Sequence, residues 1–408
     1  MKLTPYQRRL FLFLSVATFF EGYDFLALGQ ILPNLREDFG LDPAWSAYII
    51  GFVNIGTILA FFLVRKADVW GRRRVMTVTI FGYTVMTFLT GLAPNLVVFV
   101  VLQLIARIFL LAEWSVSMVY AAEEFPAEKR GTTIGVIQAC SSLGSIACAG
   151  LVPLLLKSPF GWRTVYFVGI IPLILLAFAR RSLGETRRFK ERGPEPPPSL
   201  FSIWSSPYVK RVLTLAAVWF VAYIPAQNAV GLWKEFAVNE RGLTDGEVGL
   251  AIAIAAVGSL PFLFGAGKMI DTLGRKRSSA IIFTIGGFAI VGCYTLHGFV
   301  PLTIALGFGI FGASAYLPIL NSYGSELFPT QYRGTANAWA NNIFGRLGYV
   351  LSPFAVGAIV GATGGEYGPV VASTAVFNIV AIALIYATMP ETTNRELEDT
   401  STMAAGAS

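Results

Sequence analysis

Asp68-Val-Trp-Gly-Arg-Arg-Arg74 returns, with conservative changes, as Asp271-Thr-Leu-Gly-Arg-Lys-Arg277. Residue 271 lies 203 positions after residue 68. A second, unrelated pattern does the same. Glu123-x-x-Pro126-x-x-x-Arg130-Gly131 returns as Glu326-x-x-Pro329-x-x-x-Arg333-Gly334, and 326 again lies 203 after 123. Two motifs sharing one offset, about half of the 408-residue chain, mean a duplicated half.

What surrounds the motifs is apolar. The chain is 55% hydrophobic and only 13% charged, with a mean hydropathy of +0.63. A soluble domain carries roughly 25% charged residues, so this chain cannot wet its surface in water. A membrane helix needs about 20 mostly apolar residues. That ruler finds spans near residues 10–34, 45–64, 75–93, 96–123, 131–156 and 162–180, then near 209–237, 246–267, 279–297, 299–327, 334–361 and 367–389. The expected fold is an all-α membrane protein of about 12 spans in two pseudo-symmetric six-helix bundles. The expected organisation is a first bundle over 1–181, a charged, proline-rich linker over 182–206, a second bundle over 207–390 and a polar tail over 391–408. Arginine and lysine collect in alternate loops, around Arg72, Lys129, the linker, Arg275 and Arg333. By the positive-inside rule those loops and both termini are cytoplasmic, in the cell inner membrane of a multi-pass protein. The start of the chain, Lys2 to Arg9, leads into an apolar stretch without a small-residue cleavage site before Glu21, so it reads as a retained helix.

Composition excludes several functions. The net charge of +7 comes from those loops and not from a nucleic-acid surface. Cys140, Cys148 and Cys293 lack metal-ligand spacing, and His297 is the single histidine. No metal, no cofactor, no catalytic residues and no enzyme activity are expected. The partners expected are a small organic solute, protons and the lipid bilayer, with no nucleic acid, and the chain is expected to work as a monomer.

The paired D-x-x-G-R-R/K motifs, between spans two and three and between spans eight and nine, resemble those of the major facilitator superfamily. The E-x-x-P-x-x-x-R-G ends of spans four and ten are similar to those of its sugar-porter and organic-ion branches. The resemblance covers essentially the whole chain. It implies two bundles rocking about a central site lined by spans 1, 4, 7 and 10. It also implies a cytoplasmic latch made by Asp68, Arg72, Glu123 and Arg130 in one half and Asp271, Arg275, Glu326 and Arg333 in the other, with Glu123/Arg130 and Glu326/Arg333 as pairs. Independently of family, Gly71 and Gly274 suit a tight turn, and Asp68 and Asp271 are placed to accept hydrogen bonds from a neighbouring helix N-terminus.

Ionisable residues at membrane depth cost about 2.5–3.5 kcal/mol each and need a reason. In span 1, Glu21 and Asp24 share a face. They lie about 18 Å and 22 Å in if the helix enters near Arg9. Span 4 carries Arg107 and Glu113, about 120° apart around the helix. Span 11 carries Arg346, with Asn342 one turn before it. Gly22-Tyr23-Asp24 resembles the span-1 aspartate of sugar/proton and aromatic-acid/proton symporters, which implies proton coupling through Asp24, Glu21 and Glu113. Glu113-Trp114 followed by Glu123-Glu124-Phe125-Pro126 is similar to a pattern of metabolite/proton symporters. There the span-4 arginine would fall at Gln103, and here it stands one turn later. Arg107 is expected to pair with Asp24 or Glu21. Gly345-Arg346-Leu-Gly348 resembles the span-11 motif of organic-anion carriers. A guanidinium forks two hydrogen bonds to a carboxylate, so Arg346 is expected to hold an anionic substrate, with Gln227, Asn228, Asn342, Tyr23, Trp114, Tyr223 and Tyr316 as further contacts. Aromatics in membrane helices are more often packing, Lys234 and Glu235 read as interfacial, and His297 as a loop residue.

The expected function is therefore proton-coupled symport of a small, carboxylate-bearing metabolite by alternating access. The alternatives are proton-driven efflux of drugs or organic cations, and passive facilitation.

Overall fold

A computed structural model describes residues 4–169, 174, 184–185 and 199–392, and among these every regular element is helical. The first half contains α1 (Pro5–Asp38), α2 (Ala44–Arg65), the short α3 (Ala67–Trp70), α4 (Arg72–Gly91), α5 (Leu96–Glu124), α6 (Ala127–Leu155) and α7 (163–169). After a 3₁₀ turn at Leu200–Ser205 come α8 (Val209–Gly231), α9 (Trp233–Asn239), α10 (Asp245–Leu273), α11 (Arg275–Thr295), α12 (Phe299–Ala315), α13 (Leu317–Glu326) and α14 (Thr330–Asn337). A π-helical segment, Ala338–Gly345, leads into α15 (Arg346–Thr363), followed by α16 (Tyr367–Ser373) and α17 (Val376–Thr388).

Ten helical stretches among the described residues are long and apolar enough to cross a membrane. The expected third span is helical as α4, but it opens on Arg72-Arg73-Arg74 and is less apolar. Most of the expected sixth span, of the linker and of the tail lies outside the described residues.

Local chemistry sets the ends of these helices. Thr4 and Gln7 form a reciprocal capping box at the start of α1, and Thr244 and Glu247 form another at the start of α10. Gly71 and Gly274 hold φ of 90° and 88° between consecutive helices. That region is open to glycine and strained for other residues, so the turn between basic helices requires it.

The chain divides into two compact units, Met1–Leu41 with Phe52–Pro197 and Asp42–Gly51 with Pro198–Ser408. In the first unit α1 and α6 cross at backbone contact. A Cβ at Gly22 would lie 1.9 Å from Ser141 O, one at Gly144 would lie 1.8 Å from Phe19 O, and Ser145 Oγ donates to Gly22 O at 3.0 Å. Small residues bring membrane helices this close. In the second unit α8 meets α15 the same way, where a Cβ at Gly348 would lie 2.1 Å from Phe220 O. The segment 42–51, which the repeat assigns to the first half, groups with the second unit. Tyr367 Oη donates to Pro43 O at 2.5 Å, and Ser46 Oγ donates to Glu235 Oε2 at 2.8 Å.

Candidate functional site

The tight α1–α6 crossing fixes the part of α1 that carries the acids. Glu21, Arg107 and Glu113 are 9%, 6% and 6% exposed, and Asp24 is half-buried. Glu21 lies within Coulomb range of both Glu113 and Arg107, and Asp24 within range of Arg107. Arg107 therefore sits near both acids expected to partner it. Its guanidinium also lies over the Phe25 ring, 5.0 Å from the centroid, one residue beyond Asp24. Glu113 accepts a 2.7 Å hydrogen bond from Ser117 Oγ one turn along. Close packing on α2 steadies Arg107, since a Cβ at Gly56 would meet the Arg107 side chain at 3.1 Å. Gln103, at the position where the resembling pattern has its arginine, instead donates to Thr90 Oγ1 at 3.2 Å. Tyr23 is buried and Trp114 half-buried. This half thus gathers three carboxyl groups and one permanent cation in an apolar setting, an arrangement that can trade a proton against an ion pair.

In the second half, Arg346 caps the π-helical segment, its N–H donating to Asn341 O five residues back. Its charge acts on Tyr223 and Tyr316. Those rings belong to one aromatic group. Trp219 stacks on Tyr223 at 5.2 Å, Tyr349 meets Tyr223 edge-on at 5.4 Å, and Tyr316 stacks on Phe283 at 5.6 Å. The polar contact to Tyr223 comes from Asn341, whose Oδ1 accepts the Tyr223 hydroxyl at 2.8 Å. No hydrogen bond to Asn342 joins it among the described residues. Asn228 is fully buried and ties α8 to α15, with Nδ2 donating to Ser352 Oγ at 2.5 Å and its carbonyl accepting Tyr294 Oη at 2.7 Å. Gln227, 9% exposed, lies beside Gly231.

At the motif-bearing ends the two halves build the same device. Arg72 Nη2 lies 3.1 Å from both Asp68 Oδ1 and Glu123 Oε1. Arg275 Nη2 lies 2.8 Å from Glu326 Oε1. The partner of each glutamate is thus the arginine of the turn motif and not Arg333 or Arg130 further along. Each glutamate ends a helix facing the turn, whereas Arg333 sits in the next helix. The Arg130 side chain lies outside the described residues. Asp271 is exposed, without an ion pair among the described residues, and neither aspartate caps a neighbouring helix. That role falls to Glu185 and Glu391. Glu185 accepts Arg73 N at 3.2 Å, and Glu391 accepts Arg275 N at 2.9 Å and Lys276 N at 3.0 Å.

A family model described as Major Facilitator Superfamily matches residues 14–353 and 215–405. The chain belongs to the Major Facilitator Superfamily. It is 26% identical over 348 residues to a probable 4-methylmuconolactone transporter of Cupriavidus pinatubonensis, covering 83% of this chain and 81% of that one. It is likewise 26% identical to the cis,cis-muconate transport protein of Acinetobacter baylyi, covering 88% of both chains. Among solved structures, a D-xylose-proton symporter superposes with a TM-score of 0.77 at 18% identity, over 95% of this chain and 99% of that one.

As a Major Facilitator Superfamily member the chain is a multi-pass membrane transporter and not an enzyme. Several of its polar residues escape sequence reading. Glu185 and Glu391 share a signal, the Glu-Thr pairs 185–186 and 391–392, in step with the repeat to within three positions. Lys234 and Glu235, read as interfacial, are 1% and 0% exposed. Lys234 pairs with Asp245 at 2.5 Å, and Glu235 accepts Ser46 Oγ at 2.8 Å and Asn239 Nδ2 at 2.7 Å. Burial of both follows from α9 being covered by the segment 42–51 and by the start of α10.

Proposed function

We propose that this transporter moves a small organic carboxylate together with a proton, by alternating access. The observation that carries the reading is the Coulomb-linked cluster of Glu21, Arg107 and Glu113, three ionisable side chains all under a tenth exposed. Charges at membrane depth persist where they serve a solute or proton path. In this reading Asp24 and Glu21 carry the proton, and Glu113 and Arg107 set the balance between their charged and neutral forms. Arg346 holds the substrate carboxylate, and the rings around Tyr223 and Tyr316 receive its unsaturated body. The relatives named for muconate and methylmuconolactone make unsaturated carboxylates the first compounds to try. The arginine- and lysine-rich turns face the cytoplasm in this reading, in the cell inner membrane.

The test is uptake by the purified carrier in proteoliposomes. The substrates are cis,cis-muconate and 4-methylmuconolactone, with tetraphenylphosphonium as a cation control. Accumulation is expected to follow an inward proton gradient and to collapse with an ionophore. Asp24→Asn is expected to keep exchange and lose gradient-driven accumulation. Unchanged accumulation in that variant rules Asp24 out as the coupling group, and transport of the cation alone would point to efflux of cationic compounds instead.

A further inference from the structure

Three buried polar atoms of the first half lack a hydrogen-bond partner among the described residues: Tyr23 Oη, Asp24 Oδ1 and Tyr166 Oη. They come from two elements that face each other. Tyr23 and Asp24 are consecutive in α1, and Tyr166 lies in α7. A Cβ built at Gly169 would stand 4.0 Å from Asp24 Oδ1. Gly169 follows Tyr166 by three positions, so both share one helix face. The charge of Asp24 acts on both phenols, and Tyr23 and Tyr166 act on each other. The Tyr166 ring is held in place. It is 2% exposed and meets Phe99 edge-on at 6.1 Å and Trp162 at 6.2 Å. Trp162 is itself anchored, donating Nε1–H to Asp38 Oδ2 at 3.0 Å. The hydroxyl therefore has no route to solvent by a side-chain turn.

Buried polar atoms are nearly always satisfied, and where protein supplies no partner an ordered water does, given two to four polar groups around it. Three such atoms in one neighbourhood meet that requirement. We infer that Tyr23, Asp24 and Tyr166 together bind one buried water, and that Tyr166 is a positioning residue governing proton uptake at Asp24. The water accepts the O–H of each phenol and donates to Asp24 Oδ1 while the carboxylate is charged. When Asp24 takes up a proton, its O–H donates to the water and one phenol rotates to become the acceptor. The other ionisable groups around this point are Glu21 from α1, Arg107 and Glu113 from α5, and Cys148 from α6. Of the groups facing Asp24, the phenols are the ones whose removal leaves the charge balance unchanged.

This inference rests on Asp24 being a proton-binding group, and the experiment separates the two. The full-length carrier in liposomes is titrated by infrared spectroscopy, following the carboxylic C=O stretch in wild type, Asp24→Asn, Tyr166→Phe and Tyr23→Phe. Asp24→Asn is expected to delete one titrating band. Tyr166→Phe removes a hydroxyl that favours the charged form, so the midpoint of that band is expected to move up by about one pH unit, the worth of one hydrogen bond. Tyr23→Phe is expected to move it in the same direction, and it supplies the test should Tyr166→Phe not fold. If Asp24→Asn deletes no titrating band, the proton-site reading falls. If it does, and neither phenylalanine variant moves the midpoint, the water site and the role of Tyr166 are wrong while the coupling group stands.

Discussion

Arg275 Nη2 stands 2.8 Å from Glu326 Oε1 in one half, as Arg72 Nη2 stands 3.1 Å from Glu123 Oε1 in the other. All four side chains are between 11% and 14% exposed, so breaking either pair strands a charge that water reaches poorly. Arg275→Ala is expected to destabilise the carrier by about 3 kcal/mol. The reversed pair, Arg275→Glu with Glu326→Arg, is expected to recover part of that loss. Thermal unfolding in detergent, with transport rates alongside, measures both.

Glu391 accepts two backbone N–H groups at the start of α11. It satisfies two of the orphan donors there and places negative charge at the positive end of the helix dipole. Glu391→Gln keeps the shape and loses the charge, for an expected cost of about 1 kcal/mol. Glu185→Gln should cost a similar amount in the first half. Additivity in the double variant, read by thermal unfolding, checks that the two halves carry independent copies of the device.

Replacing Gly22 with alanine brings a methyl to 1.9 Å from Ser141 O, while alanine at Gly150 of the same α6 partner meets nothing within 4 Å. Gly22→Ala is expected to cost about 3 kcal/mol or to prevent folding. Gly150→Ala is expected to be neutral or to stabilise by up to about 1 kcal/mol, from helix propensity alone. Expression level and melting temperature separate the two.

Lys234 is 1% exposed, while its partner Asp245 is a third exposed. Removing the acid leaves this cation in an apolar setting without that partner, and removing the lysine leaves an acid that water can reach. Asp245→Asn should therefore destabilise more than Lys234→Met. Equal effects, or the reverse order, would show that the pair is not the main support of Lys234.

Arg346→Ala is expected to abolish carboxylate uptake. Arg346→Lys, which keeps the charge but loses the fork, should raise KM about tenfold. Tyr223→Phe removes the hydroxyl held by Asn341 and should raise KM less. Initial uptake rates over a range of substrate concentrations measure all three.

Sequence alone carried the duplication, the helical membrane fold, the turn glycines and the arginine–glutamate machinery, because motif spacing and apolar length are local properties. It also placed the acids of α1 and α5, since a charge inside an apolar run is visible without coordinates. The partners were less legible. Whether Glu123 meets Arg72 or Arg130 depends on how helix ends face one another across a turn. Lys234 and Glu235 sit at the end of an apolar run, where sequence cannot distinguish a membrane surface from cover by another part of the chain. Asn341 displaced Asn342 because a π-helical stretch does not keep the four-residue spacing that an α-helical reading assumes.

That π-helical stretch gives Arg346 an unusual dependence on chain length. A π turn amounts to one surplus residue wound into a regular helix. Deleting a residue from Ala338–Gly345 would let the coil run through at 3.6 per turn and swing everything after it by about 100° around the axis. The compass bearing of the guanidinium is therefore set by how many residues precede it as much as by which ones, and a deletion here would redirect Arg346 without altering a single side chain.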